Sequence, residues 1–119
     1  VAVGAGVLET TDGGRETTDE GGENYLWQAG FDYDKIALPL FLRSRRDGDR
    51  FCPAGMSGKS KKLQDYFTDE KVPRRKRDAV PLLATEQDVI GVVGMRTDER
   101  FLPGPETKRT IFVRIRKMK

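Results

Sequence analysis

Residues 42–83 read LRSRRDGDRFCPAGMSGKSKKLQDYFTDEKVPRRKRDAVPLL, and the fold turns on how that stretch is read. Twelve of the chain's 22 Lys and Arg fall here: Arg43, Arg45, Arg46, Arg50, Lys59, Lys61, Lys62, Lys71, Arg74, Arg75, Lys76 and Arg77. Only six acids oppose them, so a chain of net charge +3 hides a strongly basic centre, which points to a polyanionic partner. Asp47-Gly48-Asp49 is turn chemistry. Ser60 is placed to cap a helix running to about Thr68, with Leu63 and Phe67 four apart on its inner face. Lys59, Lys61 and Lys62 would then crowd the first turn, where cations oppose the helix dipole. A local rule broken at a cluster marks function. Pro73 suits a first helical position, so a second short helix is expected over Arg74–Ala79, with Arg74 reaching Asp78 one turn on. Pro81 ends it, and Pro81–Ala84 returns as strand.

Outward from this centre the pattern is sheet. Val89–Met95 is an apolar run suited to a buried strand, and Thr110–Lys117 alternates Ile111, Val113 and Ile115 with Phe112, Arg114 and Arg116. On the other side, Leu38–Arg45 reads as a strand with Leu40 and Leu42 inward. Tyr25–Trp27 and Phe31–Ile36 read as short strands split by a turn at Gly30, and Val1–Leu8 as one small-residue strand. Thr10–Asn24 is glycine-rich and acidic, a solvated loop or a hairpin tip. Residues 1–35 carry eight acids and two bases. The expected fold is a single α+β domain, a mixed or sandwich-like sheet with two short helices. It has an acidic, glycine-rich leading part (1–37) and a core (38–119).

Composition excludes several functions. With 119 residues the chain forms one domain. Lone Cys52 precludes an internal disulfide and fits a reducing, cytoplasmic setting. No apolar run nears the ~18 residues of a membrane span, and no signal peptide is visible. A first residue of Val1 rather than Met reads as a piece excised from something longer. Histidine is absent, which removes the usual general base and the commonest zinc ligand. Ser57-Gly58-Lys59-Ser60 has the end of a phosphate-binding loop, but Pro53 stands where its first glycine belongs and no buried strand precedes it. A glycine-rich loop opening a helix would still offer N–H groups to a backbone phosphate. Asp65 with Asp69, and Asp98 with Glu99, sit among Lys and Arg and read as ion-pair partners rather than acid/base pairs. Cys52 reads as a small hydrophobe. Phe51, Tyr66 and Phe67 could stack on bases, although Phe67 has core spacing.

Four segments carry a resemblance: RSRRDGDRFCPAGM (43–56), KSKKLQDYFTDEKVPRRKRDAVPLL (59–83), VVGMRTDERF (92–101) and PETKR (105–109). In wording and order they resemble the C-terminal domain of bacterial tRNA(Ile)-lysidine synthetase, from about Leu38 to Lys119. Asp47 departs from the proline usual in that family. The resemblance implies an enzyme that joins lysine to the wobble cytidine of a minor isoleucine tRNA with ATP. That chemistry resides in a separate N-terminal PP-loop domain, whose S-G-G-x-D-S motif does not occur here. This domain would instead hold the tRNA body and acceptor stem, on a mixed fold similar to a module of the phenylalanyl-tRNA synthetase β chain. It would need no cofactor of its own, ATP and lysine being used by the catalytic domain.

RNA-gripping candidates are Arg43, Arg45, Arg46, Arg50, Lys59, Lys61, Lys62, Arg74 and Arg77. Arg100, Lys108 and Arg109 form a weaker second set. Arg50 and Arg77 also suit structural roles beside Asp49 and Asp78. The expected partners are tRNA(Ile) and the enzyme's own N-terminal domain, with no membrane. The rival reading is a docking or dimerisation module whose basic face meets carboxylates of another chain.

Overall fold

A computed structural model describes the backbone of residues 2–3, 6–12 and 25–117 and the side chains of residues 27–115. The alternation in the last strand fixes the first layer. Strand β9 (Thr110–Lys117) lies between β2 (Gly6–Asp12) and β3 (Tyr25–Asp32), antiparallel to both, and β1 (Ala2–Val3) pairs with the outer edge of β2. Phe31 faces Ile111, Ala29 faces Val113 and Trp27 faces Ile115, so the period of two puts all six on one side, toward the core. Two expectations change here. The predicted Val1–Leu8 strand is two antiparallel strands. Gly30 makes no turn: it lies inside β3 opposite Phe112, whose ring would stand 3.2 Å from a Cβ at that position. The missing side chain makes room for a cross-strand aromatic ring. Within the acidic Thr10–Asn24 stretch, Thr10–Asp12 belong to β2 and residues 13–24 lie outside the described residues.

The second layer is a three-stranded antiparallel sheet in the order β4 (Phe41–Arg43), β7 (Leu82–Ala84), β8 (Val89–Val92). It is covered on both faces, so β7 and β8 are buried at every residue instead of alternating. Leu42, Leu83 and Ile90 join the cluster shared with Phe31, Ile111, Val113 and Ile115. Leu82, Val89 and Val92 join a second cluster with Phe51, Leu63, Tyr66 and Phe67. β4 is shorter than the predicted Leu38–Arg45 strand, because beyond Arg43 the chain is drawn into the Arg46–Asp49 turn, where the Asp49 N–H donates to the Arg46 carbonyl at 3.2 Å. β8 likewise stops at Val92, where a turn closes with the Met95 N–H donating to the Val92 carbonyl.

The third layer carries the two helices and a small ribbon, β5 (Arg50–Phe51) against β6 (Lys61–Lys62). Helix α1 (Leu63–Asp69) starts later than Ser60 predicts, because Lys61 and Lys62 are extended and paired with Phe51 and Arg50. The Ser60 hydroxyl accepts from Arg50 Nε (3.0 Å) instead of capping a helix. Residues 53–58 thus lead into a strand rather than into a phosphate-loop helix, and the lysines do not lie in the first turn of α1: Lys62 is its N-cap, Lys61 precedes it in β6, and Lys59 lies in the loop before β6. Helix α2 (Arg74–Arg77) follows Pro73, and its buried residue is Arg77. The structure is the expected α+β class: the described residues form a four-stranded sheet, a three-stranded sheet and a two-stranded ribbon with two short α-helices.

Candidate nucleic-acid interface

The basic centre is organised by one acidic turn. Arg43 forks onto Asp49 with two parallel bonds, Nη1 to Oδ2 at 2.9 Å and Nη2 to Oδ1 at 3.0 Å. The same carboxylate accepts the Arg46 backbone N–H at 2.8 Å, and Gly48 takes a positive φ of 86° to close the turn. The Asp49 carbonyl accepts the first N–H of α1, from Leu63, at 2.9 Å. Burial pushes the Asp49 carboxyl up, but the Arg43 fork and the Arg46 N–H outweigh it and hold the group below its ordinary value, so it stays ionised.

Around this turn three candidate cations converge: Arg45, Arg46 and Lys62 line one cleft with Gly48, Leu63, Gln64 and the carboxylates of Asp47 and Asp49. Arg45 Nε also binds Asp78 at 2.8 Å, which ties the end of β4 to the end of α2. Asp78 is therefore taken by Arg45, not by Arg74 as the helical spacing suggested. In the ribbon, Arg50 stands directly opposite Lys62. Like charges facing each other across an antiparallel pair are destabilising. Among the described residues neither has a carboxylate within ion-pair distance, so both present their charge outward. Arg46, Lys59 and Arg74 are exposed and share that property.

Other candidates are drawn into the framework. Arg43 is bound to Asp49. Lys61 pairs with Asp69. Arg77 is 7 % exposed, donates from Nε to the Val72 carbonyl at 2.9 Å, and lies 5.9 Å from the centre of the Phe67 ring. Arg100 binds Asp98 and Asp88. Lys108 and Arg109 belong to the loop entering β9. That loop is hooked by Thr107, whose hydroxyl donates to buried Asp32 at 2.9 Å, and Arg109 lies 4.0 Å over the Tyr33 ring. Phe51, Tyr66 and Phe67 are all buried in the second cluster, so none is placed to stack on a base. Among the described residues no group of His, Cys, Asp and Glu could hold a metal, and no helix is long and apolar enough to cross a membrane.

The profile of the family described as the TilS substrate C-terminal domain matches residues 40–114. The chain belongs to the TilS C-terminal domain family. It is 46 % identical over 83 residues to a tRNA(Ile)-lysidine synthase of Caldanaerobacter subterraneus subsp. tengcongensis, covering 70 % of this chain and 18 % of that protein. It is 48 % identical over 95 residues to that of Symbiobacterium thermophilum, covering 80 % and 19 %. The chain thus spans about a fifth of the length of these curated relatives. In fold it is similar to a crystal structure of a TilS C-terminal domain (TM-score 0.73, 24 % identity, covering 100 % of this chain and 95 % of that one). It is also similar to an N-terminal fragment of the phenylalanyl-tRNA synthetase β-subunit from Pyrococcus horikoshii (TM-score 0.67, 17 % identity, covering 96 % and 39 %).

The TilS-type wording DERF acquires a physical meaning in this structure. Asp98 is fully buried, and its carboxylate accepts the Cys52 N–H at 2.9 Å and the Arg100 N–H at 2.8 Å. Arg100 folds back with two further bonds, at 3.0 and 2.8 Å. Those bonds keep the Arg100 guanidinium protonated well beyond the usual arginine range. Glu99 accepts the Gly55 N–H at 3.2 Å, so DERF clasps the loop that follows GDRF. The ion-pair reading of Asp98 holds. Its burial beneath Cys52 carried no local signal, because the two residues are 46 positions apart.

Proposed function

We propose that this chain is the tRNA-binding accessory domain of a tRNA(Ile)-lysidine synthase. It grips the tRNA body and acceptor stem, while a separate N-terminal PP-loop domain uses ATP and lysine to convert the wobble cytidine to lysidine. The observation that carries this reading is the convergence of Arg45, Arg46 and Lys62 on one cleft, with Arg50 set against Lys62 beside it. The like-charged Arg50–Lys62 pair would be relieved by a polyanion, and Arg46 adds to it a third cation outside ion-pair distance of the described carboxylates. An A-form stem offers phosphates and 2′-hydroxyls in a regular shape, which suits cations on a rigid turn and ribbon. In this reading Arg45, Arg46, Arg50, Lys59, Lys62 and Arg74 meet RNA, whereas Arg43, Lys61, Arg77 and Arg100 hold the surface that presents them. Lys108 and Arg109 are a separate, secondary contact. The domain brings no cofactor of its own.

The test is binding to an isoleucine-tRNA acceptor-stem minihelix and, separately, to its anticodon stem-loop, at low and moderate salt. The acceptor stem is expected to bind more tightly, with affinity falling steeply as salt rises. Arg46→Ala and Lys62→Ala should each lower the salt slope by about one. Binding to neither RNA, together with salt-sensitive self-association, would favour the docking-module reading instead.

A further inference from the structure

Among the described residues, Phe41 belongs to neither hydrophobic cluster. It sits on β4, the outer strand of the middle sheet, opposite Ala84, and that strand also packs against β1 and β2. Its half-buried ring lines a groove of about 360 Å³ with Leu42, Arg43, Arg46, Thr85 and Glu86. Arg46 lines this groove and also the cationic cleft with Arg45 and Lys62, so the two depressions share one arginine. The groove is at the small end of ligand-sized sites, too small for a helical stem. Its chemistry is mixed: an aromatic face, an arginine, and an exposed carboxylate. Glu86 has no hydrogen-bond or ion-pair partner among the described residues. The Thr85 hydroxyl accepts the Gln87 and Asp88 N–H groups, which holds the Glu86 turn in place.

We infer that this groove takes one unpaired nucleobase of the bound RNA, stacked on Phe41, with its 5′ or 3′ phosphate held by Arg46 in the adjoining cleft. Glu86 accepts only, so it favours a base with an exocyclic amine, adenine, cytosine or guanine, over uracil. The inference rests on the RNA-binding reading and deepens it: the domain reads a junction between a stem and a single strand rather than stem phosphates alone. Continuity through Arg46 and the sign of the charges favour a nucleotide as occupant. A purely apolar partner would leave Arg46 and Glu86 unpaired.

The experiment is fluorescence anisotropy with the full 119-residue chain, using a labelled RNA hairpin that ends blunt and the same hairpin with a short 3′ tail of adenosines or of uridines. The adenosine tail is expected to tighten binding on the order of tenfold over the blunt hairpin, from stacking of one base. The uridine tail should gain less, and Glu86→Ala should erase that difference. Phe41→Leu keeps an apolar side chain but removes the aromatic face, and should collapse the ratio of tailed to blunt affinity. Circular dichroism verifies that the variant is folded. An adenosine tail that adds nothing, or a gain that survives Phe41→Leu, overturns the inference while leaving the stem-binding reading intact. Failure of the wild-type chain to bind any of the hairpins overturns both.

Discussion

Asp98 exemplifies what a single residue does here. One carboxylate satisfies the Cys52 and Arg100 backbone N–H groups and neutralises the Arg100 guanidinium. Removing it leaves a buried N–H without that partner and a guanidinium with only the more distant Asp88, at 3.9 Å, as counter-charge. Asp98→Ala is expected to cost about 3 kcal/mol of stability, read from urea unfolding. Asp98→Asn, which keeps the shape and one acceptor, should cost less. Equal stability of the wild type and the alanine variant would show that this clasp contributes nothing. Arg46 and Lys62 behave in the opposite way: neither has a side-chain ion pair among the described residues, so their replacement should spare stability and reduce RNA affinity alone.

At the scale of elements, α1 illustrates a helix that does not stand on its own. Seven residues are too few for an isolated helix in water, and Lys62 at its N-cap makes no side-chain capping bond. The helix is held by the Leu63 N–H bond to Asp49 and by burial of Leu63, Tyr66 and Phe67 against Phe51 and the middle sheet. Leu63 is 2 % exposed. Leu63→Ala is therefore expected to destabilise the domain by about 2–5 kcal/mol. Chemical denaturation should show a lower midpoint with a single transition, since the helix has no independent stability to retain. An unchanged midpoint would mean that α1 is only loosely docked.

For the whole molecule, the decisive contact is between sheets. Trp27 of β3 rests its indole against Gly91 of β8, where a Cβ would stand 2.9 Å from the ring. The glycine is a notch that lets the terminal sheet dock on the middle one. Gly91→Ala should cost about 1–3 kcal/mol by overpacking. Because Trp27 is the chain's one tryptophan, its emission reports the contact directly. The expected result is a lower melting temperature with a red-shifted emission, and little further cost when Trp27 is already replaced by Leu. Additive effects of the two substitutions would place the strain elsewhere.

The sequence by itself determined the α+β class, the inward set Ile111, Val113 and Ile115, both helices to within a few residues, and the density of cations between Arg43 and Arg77. These are local properties: side-chain period, proline and glycine chemistry, and charge count. The wording of GDRF, SKKLQD, KVPRRKRD and DERF was equally legible, and it carried the family resemblance. Only the tertiary structure decided which cations remain outward-facing. Arg43, Lys61, Arg77 and Arg100 look like their neighbours in the chain. They are distinguished by Asp49, Asp69, Val72 and Asp98, partners that the fold brings to them from 2 to 8 positions along the chain, in geometries that spacing does not specify. Ser60 and Gly30 were misread for the same reason. Pairing of Lys61–Lys62 with Arg50–Phe51 overrode a capping signal, and the Phe112 ring needed the space that a turn glycine was expected to fill. A side chain's identity sets what it can bond, but its partner is chosen by which strands lie side by side, and that is a property of the packed molecule.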